Sequence, residues 1–510
     1  MTDGQPDLVL HGARLWGRPD CDAVAVAGGA IVACGRFSEL SASVGPRTYL
    51  IPLGGRLLAP GFIDSHLHFM EAAAAAAGVR LNSVRSLQEL EQELRQAAAR
   101  TAPGNWLRVF GCDESLLRER RGPRREELDR ATPRHPLRLR HQTLHASWLN
   151  SRAIALLGLE RSDFIPPPGA RLSRDANGRV ESLVVGMEDW LGARLPRVLA
   201  ADLQSRARTF SRELAAAGVT AFTDAGACND LAQLATLAEL CAAGAITQRI
   251  SVMLGEGQIA HFPSTKELSQ GARVACTGIK FRAAPASPQR VESVRRALEM
   301  GASCAFHATE IEELEAALNA VEAAVAGLKR PPTAPCRIEH GGIITDEQAT
   351  RIAALGAWVV TNPGFIYYRG AKYCDEPGLT PYLYRARSLL RTGIPLAAGT
   401  DAPVTPARPL VAIAAAIART TLEGAQLGAD EALPLPQAFD LFTRAGAELA
   451  GWPAGALQPG LAADMIVMAA DPSQLTPAEL AAVPIDLTII GGRVVYERGR
   501  PETITGIPGF

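Results

Sequence analysis

Residues 59–69 read Ala59-Pro-Gly-Phe-Ile-Asp-Ser-His-Leu-His-Phe69, a short apolar run that ends in two histidines. A run of this kind, bounded by turn residues, is typical of a strand that is buried on both faces of a parallel sheet. Two residues apart on an extended chain, the imidazoles of His66 and His68 point to the same side. The stretch therefore favours a metal-binding pair at a strand end over two unrelated surface histidines.

Seven further apolar runs alternate with helical patterns along the middle of the chain, which is the signature of βα units and a parallel sheet. The eight predicted strands are Leu58–Ser65, Val219–Asp224, Ile250–Leu254, Gly278–Arg282, Ser303–His307, Cys336–His340, Trp358–Thr361 and Leu396–Asp401. Eight is the number that a closed barrel requires. We therefore predict an α/β fold, a (β/α)8 TIM-like barrel over residues 59–451.

The two ends of the chain have a different rhythm, with short strands and Gly-Gly turns such as Gly28-Gly29 and Gly491-Gly492. We predict that residues 1–58 and 452–510 pair into one composite small β-sandwich domain. The stretch from about 80 to 210 is too long for one βα unit. It is predicted to be an inserted subdomain that covers the substrate, since long loops at the catalytic end of a barrel are usually functional.

Composition narrows the possible partners and the location. Lys+Arg is 52 and Asp+Glu is 53, so no basic stripe predicts nucleic-acid binding and no polybasic segment predicts membrane binding. The nine cysteines are scattered singly without a CxxC pair, which indicates a reducing compartment. The start lacks the pattern of a signal peptide, and the apolar runs are too short for a bilayer. We expect a cytoplasmic protein with a small-molecule substrate, and a homodimer only because it is the commonest oligomer.

Four more residues stand at predicted strand ends, where barrel enzymes place their chemistry. They are Lys280, His307, His340 and Asp401. Each has an ordinary interpretation: a lysine that reaches solvent, two satisfied histidines, and an aspartate that caps a helix. Together they favour a site for one or two divalent metals, for which neutral imidazoles and carboxylates are ligands. A CO₂-derived carbamate on Lys280 would turn a costly buried cation into a carboxylate that can bridge two metals.

This set of residues predicts a hydrolytic reaction. A divalent metal lowers the pKa of bound water from 15.7 to about 7 and polarises the carbon that is attacked. Asp401 can take the proton of the attacking water and pass it to the leaving nitrogen. No serine or cysteine nucleophile is needed, and the sequence contains neither a Gly-x-Ser-x-Gly elbow nor a P-loop.

Several segments resemble the amidohydrolase superfamily and, within it, amidohydrolase family 3, the YtcJ-like group. They are Leu58–Phe69, Arg337–Gly342, Leu396–Pro403 and Gly455–Asp464, with Gly111–Glu114, Leu128-Asp129, Pro136 and His145–Ser151 in the insertion. The resemblance implies a barrel with a composite β-sandwich and one or two metals, usually zinc. By position, His66 and His68 match the first-metal ligands, and Lys280 matches the carboxylated bridging lysine. His307 and His340 match the second-metal ligands, and Asp401 matches the strand-eight acid.

We predict an amidohydrolase that acts on the carbon–nitrogen bond of a small amide, formamide, cyclic amide or urea. Two alternatives remain open: a deaminase that attacks the amidine carbon of a heterocycle, and a scaffold that keeps the metal without catalysis. The predicted substrate-binding residues are His145 in the insertion and Tyr367, Arg369 and Lys372 after strand seven. An arginine or lysine there could hold a substrate carboxylate. Glu339 either orients its neighbour His340 or faces away from it.

Overall fold

A computed structural model describes residues 5–76, 79–81, 84–167, 169–196, 200–262, 273–376 and 378–500. The chain divides into two compact units. The first unit comprises Met1–His68 and Ser211–Phe510, and the second comprises Phe69–Phe210. The domain boundaries predicted above remain predictions. Within the described residues, no helix is both long and apolar enough to cross a membrane.

The first unit contains the predicted barrel, and the fold class is confirmed. Eight parallel strands follow one another around it in chain order: β1 Phe62–Leu67, β2 Val219–Asp224, β3 Arg249–Gly255, β4 Val274–Phe281, β5 Ser303–Ala308, β6 Cys336–His340, β7 Trp358–Thr361 and β8 Leu396–Ala398. Beyond the end of β8, the backbone N–H of Asp401 donates to the carbonyl of His66 at 2.7 Å. This hydrogen bond connects the segment after β8 with β1, so the ends of the first and last strands meet.

The predicted first strand, Leu58–Ser65, was wrong in its boundaries. The chain changes sheets at Gly61: Leu57–Pro60 pairs with Met465–Met468 in a small sheet, and only Phe62–Leu67 belongs to the barrel. A side chain at Gly61 would collide with Thr220, because a Cβ there would lie 2.2 Å from its methyl group. The change of sheet therefore requires a glycine at position 61. The apolar sequence pattern continues through this glycine without a break.

Helices follow the barrel strands in most of the βα repeats, and the first unit has further helices outside these repeats. The described helices of the first unit are Phe37–Leu40, Leu231–Ala242, Pro288–Glu299, Ile311–Ala326, Asp346–Leu355, Gly364–Arg369, Ala386–Arg391, Pro409–Ala418, Leu435–Asp440, Arg444–Ala450 and Pro477–Ala482. The helix Asp346–Leu355 shows how the sequence sets their ends. The Thr345 side chain accepts from the N–H of Gln348, and Gly356 closes the helix with a left-handed φ of 59°.

Both chain ends of the first unit build small β-sheets around one hydrophobic core. One sheet contains Leu8–His11, Ala23–Ala27, Ala30–Gly35 and Tyr49–Pro52; the other contains Arg14–Leu15, Leu57–Pro60, Met465–Met468, Ile485–Ile490 and Arg493–Glu497. Leu10 and Val24 from the first sheet pack in the same core as Leu58, Met465 and Ile489 from the second. Residues more than 400 positions apart in the sequence thus share one β-structure.

The second unit has a sheet and a core of its own. Its strands are Val79–Arg80, Leu107–Cys112, Leu137–His141, Ala146–Leu149, Arg171–Arg174 and Val180–Val185. Its helices are Phe69–Ala76, Leu87–Arg100, Arg125–Ala131, Ser151–Leu157 and Glu188–Arg194, and helix Ala200–Ala216 runs across the boundary with the first unit. The buried side chains of Leu94, Leu107, Leu137 and Trp148 form one cluster. This core makes the unit compact by itself.

Candidate metal centre

The carboxyl ends of β1 and β8 bring three potential ligands together. Asp401 Oδ1 lies 3.1 Å from His68 Nε2 and 3.4 Å from His66 Nε2. The ligand atoms of these three residues all lie within 4.8 Å of one another. Two atoms bound to one zinc at 2.0–2.1 Å and a tetrahedral angle are about 3.3 Å apart. The observed spacing therefore fits a common metal ion.

Backbone contacts hold these residues in place at the rim of the barrel. The N–H of His68 donates to the carbonyl of Ala402 at 2.8 Å, beside the bond between Asp401 and His66. Asp401 has a left-handed φ of 58°, a conformation that costs energy for a residue other than glycine. Buried Asp64 secures the same turn, because it accepts from the N–H of Thr400 at 3.0 Å and from its hydroxyl at 2.5 Å. Strain held by such contacts is typical of functional sites.

Glu339 determines which nitrogen of His66 is available. Its carboxylate accepts a short hydrogen bond from His66 Nδ1 and also accepts from Arg337 Nε at 2.6 Å and Arg337 Nη2 at 3.1 Å. All three side chains are buried. Because the proton of the neutral imidazole stays on Nδ1, the lone pair of Nε2 faces Asp401. Glu339 thus orients His66 on β1 rather than its neighbour His340, which sequence reasoning had considered.

Asn362 determines which nitrogen of His340 carries the proton. Its Nδ2 donates to the carbonyl of Gly399 at 2.8 Å, so its Oδ1 must be the atom that lies 2.8 Å from His340 Nδ1. His340 Nδ1 therefore carries the proton, and Nε2 keeps a lone pair. That nitrogen lies 3.0 Å from His307 Nδ1. The two histidines from β5 and β6 thus form a second pair of potential ligands, and the His340 ring lies 4.7 Å from that of His66.

The electrostatics of the site favour neutral His66 and His340 and an ionised Asp401, as the directions of their pKa shifts indicate. Burial lowers the pKa of His66 to about 3, and the charge of Lys280 adds to this, against the opposing effect of Glu339. Burial also lowers the pKa of His340. Burial raises the pKa of Asp401, but its hydrogen bond with His68 and its electrostatic interactions with the surrounding imidazoles outweigh that and hold the pKa well below its usual value. Neutral imidazoles with an ionised carboxylate are the protonation states that metal binding requires.

Lys280 on β4 is buried, and its Nζ has no hydrogen-bond partner among the described residues. Burial lowers its pKa to about 8, with a further lowering by Arg337 and opposing effects from Glu339 and Asp401. A lysine with a lowered pKa is neutral in an appreciable fraction of molecules near neutral pH, and the neutral amine is the form that reacts with CO₂. The position therefore suits either a ligand-bearing carbamate or an amine that faces a bound group.

The donor set fits a metal ion. Among the described residues, the buried polar atoms without a hydrogen-bond partner include His66 Nε2 and Lys280 Nζ of this site. An unsatisfied buried polar atom costs about 1–3 kcal/mol, and a bound group that contacts these atoms would offset that cost. Imidazole nitrogens with a carboxylate are ligands that zinc takes. His66, His68 and Asp401 would hold one ion, with Lys280, His307 and His340 placed nearby.

The sequence also predicted four substrate-binding residues. His145 belongs to the second unit, where its side chain is exposed. Tyr367 and Arg369 are half-buried on the short helix after β7, and Lys372 is exposed in the turn that follows, with its ammonium 5.8 Å from the centre of the Tyr373 ring. All four remain predictions. Sequence reasoning missed Asn362 and Asp64; the signal that could have found them is a polar residue directly after or within an apolar strand.

Gly399 is required for the position of His66. A Cβ at this residue would lie 2.6 Å from the backbone nitrogen and Cβ of His66. Because the backbone must shift to relieve that contact, Gly399→Ala is expected to lower the free energy of unfolding by about 1–3 kcal/mol and zinc affinity by about 10- to 100-fold. Urea unfolding and zinc titration measure both. Gly257→Ala, which adds a methyl group in open space, is the control. An unchanged zinc affinity of Gly399→Ala would contradict the inference that close packing against Gly399 holds His66 in position.

Comparisons with known proteins agree with this geometry. The family model described as "Amidohydrolase family" matches residues 50–496. An N-substituted formamide deformylase of Arthrobacter pascens is 27 % identical over 545 residues, which cover 96 % of this chain and 98 % of that protein. The putative amidohydrolase YtcJ of Bacillus subtilis strain 168 is 26 % identical over 516 residues, covering 94 % and 96 % of the two chains.

Solved structures share the fold. An uncharacterised metal-dependent hydrolase from Pyrococcus horikoshii OT3 superposes with a TM-score of 0.73 at 21 % identity, covering 92 % of this chain and 99 % of that one. At this identity the likeness concerns the fold alone. The match to the family model spans well over half of the sequence, so the chain belongs to the amidohydrolase family. It is therefore an enzyme that hydrolyses carbon–nitrogen bonds, as the sequence predicted.

Proposed function

We propose that this enzyme is a metal-dependent hydrolase of small N-substituted formamides or related amides, rather than of peptides. The observation that carries the proposal is the position of Asp401 Oδ1, which lies within 3.4 Å of the Nε2 atoms of both His66 and His68. The similarity to an N-substituted formamide deformylase over nearly the whole chain supports formamides as the first substrates to test.

Zinc suits the site best. A histidine pair with a carboxylate and a remaining open position is the composition of catalytic zinc sites. His66, His68 and Asp401 would hold the first ion, and His307 and His340 would hold a second if Lys280 carries the carbamate that bridges them. When bound, such an ion supplies hydroxide at neutral pH and polarises the acyl oxygen of the substrate.

The protein's own groups move the protons and fix the geometry. Asp401 accepts the proton of the attacking water on a carboxylate oxygen and then delivers it to the leaving nitrogen, so the amine departs in neutral form. Glu339 keeps the His66 proton on Nδ1, and Asn362 keeps the His340 proton on Nδ1. Because these hydrogen bonds are buried, the two rings hold their orientation throughout the reaction.

Metal analysis combined with an amide panel tests this proposal. Protein purified without chelator is expected to contain one or two zinc equivalents by inductively coupled plasma mass spectrometry, and to release formate and amine in equal amounts from N-alkyl formamides. Removal of the metal is expected to abolish turnover at least 100-fold, and zinc with bicarbonate to restore it. His66→Ala is expected to lose metal, whereas His11→Ala, in the small β-sheet, is expected to keep it.

The other outcomes identify the alternatives. Ammonia release from an amino-substituted heterocycle, with no hydrolysis of amides, would indicate a deaminase. Bound zinc with no turnover across amides, cyclic amides, ureas and amidines would indicate a scaffold. Failure to bind zinc after reconstitution with bicarbonate would refute the metal-dependent mechanism itself.

A further inference from the structure

Arg419 caps the carboxyl end of the helix Pro409–Ala418, which follows β8, and its side chain is fully buried. Its guanidinium donates to four backbone carbonyls: Nη2 to Leu383 at 2.9 Å, Nη1 to Tyr384 at 2.8 Å, and Nε to Leu427 at 2.8 Å and to Gly428 at 3.1 Å. A planar guanidinium that bonds oxygens in several directions holds the chain segments that carry them in one arrangement. Residues 382–384, which lie between β7 and β8, are therefore tied to the helix after β8.

The guanidinium keeps its charge in this buried position. Burial lowers the pKa of Arg419 to about 10, against the opposing effect of Glu431. A group with a pKa of about 10 is protonated at neutral pH. Hydrogen bonds from a charged donor are stronger than those from a neutral one, so the four carbonyls are held more firmly than by an uncharged side chain.

Segment 382–384 also pairs with the turn that follows β6. The backbone N–H of Tyr384 donates to the carbonyl of Gly342 at 2.8 Å, and the N–H of Ile344 donates to the carbonyl of Tyr382 at 3.1 Å. Gly342 lies two residues after His340, the last residue of β6. A continuous path of hydrogen bonds therefore leads from the buried guanidinium to the backbone beside a candidate metal ligand.

The backbone along this path is strained. Among the described residues, six other than glycine have a φ in the left-handed region, and three of these lie on the path: His340 at 72°, Tyr384 at 42° and Arg419 at 54°. Asp401, a candidate ligand, is a fourth. Such conformations cost free energy, persist only where surrounding contacts impose them, and are concentrated at functional sites. The turn after β6 therefore needs the contacts that hold it, because its backbone would otherwise relax.

The turn is closely packed against β7 and the end of β5. A Cβ at Gly341 would lie 2.7 Å from Cγ1 of Val359 on β7, and a Cβ at Gly342 would lie 2.6 Å from the carbonyl oxygen of Thr309, directly after β5. Segment 382–384 supplies a further support through its two backbone hydrogen bonds. This is the support that Arg419 controls.

The position of the His340 backbone matters for metal binding. Asn362 orients the imidazole ring, but the backbone decides where that ring lies. Nε2 of His340 lies 3.0 Å from Nδ1 of His307, so a shift of the His340 backbone changes the spacing of these two potential ligands. Metal–ligand distances tolerate deviations of only about 0.2 Å. A contact that holds the turn after β6 therefore supports metal affinity.

We propose that Arg419 is a positioning residue of the candidate metal centre, which fixes the position of His340 by holding segment 382–384 against the turn after β6. This inference rests on the metal centre of the proposed function and not on its substrate. Arg419 is not itself a ligand, because a guanidinium has donors but no acceptor atom to offer a metal ion. It acts only through the backbone that carries the ligand.

Zinc titration against a chromophoric chelator tests the proposal. The binding step that involves His340 is identified as the step that His340→Ala loses. Arg419→Gln is expected to weaken this step about 10- to 100-fold, the usual effect of losing a residue that supports a metal ligand. Arg419→Lys keeps the charge without the planar fork, so it should weaken the same step to a smaller extent. The lysine variant also keeps the test available if Arg419→Gln does not fold.

Arg125→Gln is the matched control. Arg125 is also a buried arginine that bonds in several directions, because it donates to the Val180 carbonyl at 2.8 Å, to the Ser151 hydroxyl at 2.7 Å and to the Glu160 carboxylate at 2.7 Å. These partners all belong to the second unit. The control should lower the thermal unfolding midpoint, as Arg419→Gln does, but it should leave zinc affinity unchanged.

Equal weakening of zinc binding by Arg419→Gln and Arg125→Gln would overturn the proposal, because it would reflect general destabilisation. An unchanged His340 step in the Arg419 variants, or a His340→Ala variant that loses no zinc, would also overturn it. If the wild type bound no zinc, the proposed function would fail, and NMR of the zinc-free protein would decide the inference. The Nδ1 proton that His340 shares with Asn362 should give a slowly exchanging signal. Arg419→Gln should lose this signal and Arg125→Gln should keep it; retention of the signal in both variants would overturn the proposal.

Discussion

Asp401→Asn is expected to lower kcat for amide hydrolysis by about 10³- to 10⁴-fold, near the upper end of what a general acid–base residue contributes. Asparagine matches aspartate in size and keeps an oxygen toward His66 and His68, but it cannot accept the proton of water or return it to the leaving nitrogen. The carboxylate of Asp401 is buried and lies within 3.4 Å of the Nε2 atoms of His66 and His68, and in the described part of the chain no other acid belongs to this group of potential ligands.

The measurement is steady-state hydrolysis of one N-alkyl formamide, with zinc content determined on the same samples. Asp440→Asn is a suitable control, because that carboxylate forms an exposed ion pair with Arg444 at 2.6 Å. It should keep wild-type kcat and zinc content. If Asp401→Asn retained more than a tenth of the wild-type kcat with its zinc in place, Asp401 could not be the residue that moves the proton.

Glu339→Gln is expected to destabilise the fold by about 3–5 kcal/mol, because it removes the charge that compensates buried Arg337. The carboxylate accepts two hydrogen bonds from Arg337 and one from His66, and none of the three side chains reaches solvent appreciably. The glutamine amide keeps only one acceptor oxygen, and its NH2 group cannot accept a hydrogen bond in place of the other. Weaker orientation of His66 should also lower zinc affinity by about 10- to 100-fold.

Urea unfolding of the zinc-free protein measures the first effect, and zinc titration measures the second. Glu322→Gln is the matched control, since Glu322 also accepts two hydrogen bonds from one guanidinium, that of Arg351, but on the surface. Exposed pairs contribute about 1 kcal/mol or less, so this variant should lose little stability and no zinc affinity. If both variants lost the same free energy of unfolding, burial would not make the Glu339–Arg337 pair more important for stability than an exposed pair.

The barrel could be predicted from sequence because strands buried on both faces are nearly continuous apolar runs, against which a polar residue at a strand end stands out. That contrast makes His66, His340 and Asp401 recognisable from the sequence. Predicting the boundaries was harder at Gly61, where the apolar pattern continues while the chain passes from one sheet to another. A change of partner strand leaves no mark on local hydrophobicity, so only the tertiary structure shows it.

The orientation of the ligands could not be predicted in the same way. Glu339 lies next to His340 in sequence, yet it bonds His66, whose strand β1 is not a neighbour of β6 in the sheet. Closure of the barrel brings the two side chains together across its interior. Asn362 directly follows β7, the sheet neighbour of β6, and bonds His340 where these two strands end. Which imidazole nitrogen carries the proton follows from these contacts and from nothing in the local sequence.

The sequence by itself determined the class of fold and the chemical groups of the site, because apolar periodicity and residue type are local properties. The tertiary structure decided how those groups act, because closure of the barrel sets which lone pairs face a common point and which acid compensates which cation. Glu339 illustrates the difference: in the sequence it is the neighbour of His340, and only the folded barrel makes it the partner of His66 and Arg337.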